Sequence, residues 1–189
     1  GRAYGAGALY SMQSNNITVE NSTFNNNSGT DGSSFGVGYH NVAGAAGFFR
    51  FNTVAFTNCT FAHNTSETSG AAILTWYNYT YLTNNTIAYN YLTSASGKGA
   101  GLYAIFFQQS PGQLFMKNNL IANNNVNGVS ADVDFNTDSW ASSIHDNGNN
   151  IVEAYTGSSI TLSGAGTITG EQSSLNLSST LADNSTSTS

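Results

Sequence analysis

Charge is nearly missing from this chain of 189 residues: four Lys and Arg and ten Asp and Glu make up 7% of it, against about a quarter in ordinary soluble domains. Its surface must be solvated by Asn, Ser, Thr and Gly instead. A net charge of −6 without a basic cluster argues against nucleic acid and anionic membranes as partners, because both are held mainly by Lys and Arg. Cys59 is the single cysteine, so no internal disulfide is available, and it reads as a small buried hydrophobe. No apolar run is long enough to span a bilayer as a helix. The opening GRAYGAGALY has neither the basic nor the hydrophobic region of a signal peptide, so a mature piece or fragment is expected. At this length one elongated domain is more natural than two.

What the chain has in abundance is a motif. NSTFNNN at Asn21, NCTFAHN at Asn58, NNTIAYN at Asn84 and NNLIANN at Asn118 share one plan. Aligned on the first Asn, the copies place Phe24, Phe61, Ile87 and Ile121 in one column and Asn27, Asn64, Asn90 and Asn124 in another. Two residues before the Asn stand Val19, Phe56, Leu82 and Met116, and four before it Ile17, Val54, Thr80 and Leu114. Alternation of this kind is the signature of a strand. The copies are 37, 26 and 34 residues apart, which implies variable loops on a constant frame.

A glycine-rich lead-in precedes each copy: GAGALY at Gly5, GAAGFF at Gly44, GAAILT at Gly70 and GAGLYA at Gly99. Each unit therefore holds at least two short strands. β-Rich units of this size cannot bury an apolar face alone and must stack on their neighbours. The expected fold is all-β, a parallel β-helix of roughly five to six coils over residues 1–170, with 171–189 as a terminal cap or Ser/Thr-rich tail. Stacking puts like positions about 4.8 Å apart, so Asn21, Asn58, Asn84 and Asn118 are expected as an inward-turned amide ladder at one corner. Phe24, Phe61, Ile87 and Ile121 form the buried column beside it. GNNIVEA is a degraded fifth copy, with Ile151 placed 30 residues after Ile121 and Ile144 in the inward column.

The paired signals, a Gly-Gly-Ala-Ile-like element followed by Phe-x-x-Asn, resemble the repeats of polymorphic outer membrane proteins and other large bacterial surface proteins. The resemblance covers roughly residues 5–124. It is close in FNNN to IANN and looser in the lead-in, where Ala replaces one Gly in all four copies and Gly47 takes an aliphatic position. It implies a right-handed β-helix that is secreted or surface-displayed, commonly adhesive or structural, and it carries over no catalytic residue.

Pectin-active enzymes share this architecture. Polygalacturonase-like sites resemble a set of Asn-Thr-Asp, an Asp pair, Gly-His-Gly and Arg-x-Lys, of which only Asn136 to Asp138 occurs here. The loop GVSADVDFNTDSWASSIHDNGNN gathers Asp132, Asp134, Asp138, His145 and Asp146. Paired carboxylates such as Asp132 and Asp134 suit calcium or acid/base chemistry, or else flank an inward Val133 and solvate the outside. No other cofactor is implied. His40, His63 and His145 lack zinc-ligand spacing. The glycines precede strands, so GAGALY is not a phosphate loop.

TWYNYTYL sets Tyr77, Tyr79 and Tyr81 on one outward stripe if the strand is regular, able to stack on sugars or pack another protein. Ice binding would need an outward Thr array, yet Thr18, Ala55, Tyr81 and Phe115 share one outward column and only one is Thr. Nine Asn-x-Ser/Thr sequons follow from the abundance of Asn and Thr, three of them falling on the expected inward corner. Two classes of function remain. One is a non-enzymatic extracellular or cell-surface adhesin, stalk or fibre subunit. The other is a polysaccharide-binding or polysaccharide-degrading protein on the same scaffold. Open strand edges are templates for further chain, so the remainder of a larger surface protein or other copies of itself are expected partners, with glycans and host or cell-surface proteins beside them. Head-to-tail stacking of copies would build a fibre.

Overall fold

A computed structural model describes residues 7–12, 16–29, 47–50, 53–76, 78–106, 112–137, 143–157 and 160–170. These residues form short strands in four sheets, with no α-helix among them. The chain visits the sheets in rotation. The third circuit runs Ile73–Trp76, Tyr79–Thr83, Thr86–Ala88 and Tyr91–Leu92, and the fourth returns at Leu102–Phe106, Gln113–Lys117, Leu120–Ala122 and Asn125–Val126. Two sheets have six strands and two have five. All neighbours are parallel except Asn125–Val126 and Val129–Ser130, an antiparallel pair. The proposed tail, 171–189, lies outside the described residues.

Register follows the repeat columns. Phe24 pairs with Phe61, Phe61 with Ile87 and Ile87 with Ile121. Phe61, Ile87 and Ile121 are fully buried, while Phe24 is half-buried. The Phe24 and Phe61 rings stack at 4.8 Å, and Phe56 meets Phe61 edge-on at 5.1 Å. Val54, Phe56, Leu82, Leu114 and Met116 fill the same core. Ile144 joins it opposite Leu114. In the fifth copy the partner of Ile121 is Val152, and Ile151 pairs with Leu120, so the expected alignment of Ile151 is one residue off. Thr80 is polar in an apolar column, and its hydroxyl is 2.6 Å from that of Thr75, which accepts from Asn78 Nδ2.

The asparagines divide into two sets. Asn21, Asn58, Asn84 and Asn118 stand at one corner with φ between 50 and 56°, the left-handed conformation that Asn tolerates best after Gly. Asn84 Nδ2 donates to Asn58 Oδ1, and Asn58 Nδ2 to Asn21 Oδ1, each at 3.2 Å. All four side chains face solvent, contrary to the expected inward turn, because a left-handed residue redirects the chain and its successor is the one that enters the core. The buried ladder is therefore one residue later: Asn85, Asn119 and Asn150, with Cys59 in the same column.

A second buried ladder runs through Asn64, Asn90 and Asn124, with Asn27 at its half-buried end. It follows a second left-handed corner at Asn26, His63, Tyr89 and Asn123. Asn90 shows the bonding rule. Its Oδ1 accepts from Asn64 N and Nδ2 at 3.0 and 2.8 Å, while its Nδ2 donates to Asn124 Oδ1 and to the Phe61 carbonyl. Gly70 and Gly99, in the lead-ins, also have positive φ. A Cβ on Gly70 would lie 2.7 Å from the Ile73 carbonyl oxygen, and one on Gly99 would overlap that of Leu102.

Asn90→Ala strands the backbone N–H of Asn64, one of its two amide hydrogens and the Phe61 carbonyl, which at about 1–3 kcal/mol per buried unsatisfied group costs roughly 3 kcal/mol or more. Cys59→Asn does the reverse. The new amide can take the place that Asn85 fills one circuit on, and stability should hold within about 1 kcal/mol or rise. Urea unfolding measures both, and equal losses in the two variants would contradict the ladder.

Candidate functional site

The outer face of the second sheet carries the most distinctive surface. Thr18, Ala55, Tyr81, Phe115 and His145 lie in strict register on neighbouring strands. The rings of Tyr81 and Phe115 stack at 4.7 Å and 5°, and those of Phe115 and His145 at 4.4 Å and 7°. Parallel in-register pairing forces this arrangement, since like positions sit one strand spacing apart. Asn16, Thr53, Tyr79 and Gln113 form the adjacent column. Tyr79 and Tyr81 are 36% and 39% exposed and are the exposed aromatic rings among the described large hydrophobics. Tyr77 lies outside the described residues. The aromatic row thus runs across strands, and its member His145 comes from the loop read as acidic. His145 Nε2 is buried without a hydrogen-bond partner.

The carboxylates of that loop separate. Asp132 is fully buried, not on the outside, and closes the second ladder: Oδ1 accepts from Asn124 N and Nδ2 at 2.8 and 2.7 Å, and Oδ2 from Ala154 N at 3.0 Å. Asp146 closes the first ladder, with Oδ1 accepting from Asn150 Nδ2 and the Thr167 hydroxyl, each at 2.8 Å, and Oδ2 from Gly164 N. Both ladders pass N–H donors towards this end, and a carboxylate, which only accepts, is the group that can terminate them. Asp134 instead lies 3.8 Å from Lys98 Nζ, an ammonium 58% exposed, and bonds Thr156. With its lysine end open to water and a separation of 3.8 Å, the pair contributes little. Asp138 is outside the described residues.

Asp132 and Asp134 do not form a shared oxygen cluster here. The oxygens of Asp132 are occupied by N–H donors, Asp134 has other partners, and among the described residues no three of His, Cys, Asp and Glu converge. His63 stacks on Tyr89 at 5.6 Å, and His40 is outside the described residues. The sequons at Asn21, Asn58 and Asn84 prove to lie on the solvent side of their corner. Two features were legible but unread: the Asn-Gly turn at 127–128, both left-handed, which makes the antiparallel hairpin, and the closing Asp residues, which stand where the amide columns run out. No protein-family model, curated protein or solved structure matches the chain.

Burial drives the Asp132 carboxyl up to about 7, against the pull of the Asn124 and Ala154 donors, with Glu153 adding to the rise. Burial also raises Asp134. A carboxyl that holds its proton more tightly when folded stabilises fully below the unfolded value of 3.8 and progressively less as pH climbs towards 7. Burial alone would raise Asp146, but donors from Gly164, Asn150, Thr167 and Gly148 hold it below the ordinary range, so its contribution is lost only in stronger acid. Unfolding free energy should therefore fall between about pH 4 and 7. Asp132→Asn should remove most of that slope, because an amide in the same place does not titrate in this window. A wild-type curve that rises over this window contradicts the assignment.

Proposed function

We propose that the chain is a non-enzymatic adhesive or structural module, extracellular or cell-surface in location and built as a right-handed parallel β-helix. It serves as part of a larger surface protein or as a fibre subunit. The observation that carries this reading is the stacked column of Tyr81, Phe115 and His145 beside Tyr79, in which the two tyrosines are exposed and Phe115 and His145 half-buried. Scarce charge and the resemblance of GAAILT and FAHN to surface-protein repeats support it. Of the two modes of assembly, membership in a larger protein is better supported. Among the described residues both ladders finish on carboxylates and the fourth sheet finishes in an antiparallel hairpin, so the amide columns carry no further rung there.

Beads coated with the protein should be retained on cell monolayers or mucin several-fold better than beads coated with the Tyr79→Ala, Tyr81→Ala double variant. Equal retention would contradict the adhesive face. Reducing-end and unsaturated-product assays on pectic and neutral polysaccharides should show no turnover. Turnover lost in Lys98→Ala or Asp134→Ala would replace the reading with an enzymatic one.

A further inference from the structure

The stack of rings on the second sheet stops short of the strands that could continue it. Tyr81 packs one face on Phe115, but its neighbour on the other side is Ala55, and beyond that Thr18. A methyl group thus stands where the next ring of the stack would be. Between Tyr81 and Thr18 the missing rung spans two strand spacings, about 9.6 Å, enough for one ring laid parallel to Tyr81. Tyr81 remains 39% exposed.

Most of the groups around this slot are hydroxyls, with the Asn16 amide beside Thr53. Thr53 and Thr57 flank Ala55 on the same face of its strand, and Tyr79 and Thr83 flank Tyr81 in matching register. Thr18 closes the far side. The charged group nearest Thr57 in its row is Glu20, with Lys117 beyond Thr83, so an anion is not favoured. We propose that the missing rung over Ala55 binds a neutral hexopyranose unit of a glycan. The apolar C–H face of the sugar stacks on the free face of Tyr81, and its ring hydroxyls exchange hydrogen bonds with the surrounding Thr and Tyr hydroxyls. An aromatic side chain from a partner protein would match the ring face but leave that polar rim unused, and a uronic acid would meet Glu20. The proposal rests on the adhesive reading and names what that face holds.

The test is a glycan array of neutral gluco-, galacto- and manno-oligosaccharides with polygalacturonate as the acidic arm, followed by NMR titration of the strongest binder. Saturable binding of a neutral oligosaccharide is expected. Tyr81→Ala should weaken it roughly five- to tenfold. Ala55→Phe should complete the ring stack, abolish binding and leave the thermal midpoint unchanged or higher. Should that variant not fold, Thr57→Val, which keeps the slot but removes a rim hydroxyl, takes its place and should weaken binding severalfold. The proposal is overturned by no saturable neutral binding up to about 10 mM, by preference for polygalacturonate, or by wild-type affinity in a folded Ala55→Phe. If bead retention persists without any glycan binding, the sugar site fails and the adhesive reading stands.

Discussion

A buried asparagine has two donors and two acceptor sites to satisfy, and in this chain it satisfies them across circuits. Asn90 takes two donors from Asn64 and gives its own to Asn124 and to the carbonyl of Phe61. Asn85 and Asn119 repeat the arrangement one corner away. Such bonds are strong in a dry interior and expensive to leave unmade. Each ladder therefore fixes the register between neighbouring circuits. A slip of one residue would turn every side chain of a strand to the opposite face, so the columns of Phe61, Ile87 and Ile121 inside and Tyr81 and Phe115 outside depend on this register.

The same constraint explains how the chain stops repeating. An amide ladder whose donors all point one way needs an acceptor at its end, and Asp132 and Asp146 supply it at the two corners. The acidic loop thus gains a structural purpose for two of its members. Its His145 goes to the aromatic column instead, and Asp134 to an open contact with Lys98. One stretch of sequence is divided among core, face and rim by the alternation of its strands. Unit length can vary between 26 and 37 residues because the register is carried by the corners.

Much of this was legible because stacked circuits turn sequence columns into spatial ones. The columns of Phe24, Phe61, Ile87 and Ile121 and of Thr18, Ala55, Tyr81 and Phe115 were readable from alignment on one Asn. The inward assignment of Asn21, Asn58, Asn84 and Asn118 was not, because each is followed by Ser, Cys or a second residue of similar size, and only the left-handed φ of the corner decides which one enters. Asn27, Asn64, Asn90 and Asn124 were visible as a column, but alignment alone does not show that Asn64, Asn90 and Asn124 are buried amides. Ile151 was aligned one residue early for the same reason. His145 and Asp132 could not be placed from spacing, since the loop before each breaks the period that made the other columns visible.

The central claim is that these amides are closed within the core and hold the circuits together. Hydrogen exchange by NMR reads it directly at the backbone N–H groups of Asn85, Asn90, Asn119 and Asn124, which donate to side-chain oxygens of the next circuit or of Asp132. The account predicts that all four exchange only through global unfolding, as slowly as the amides of the central strands. Exchange at the rate of the exposed turn at Asn127 and Gly128 would contradict it.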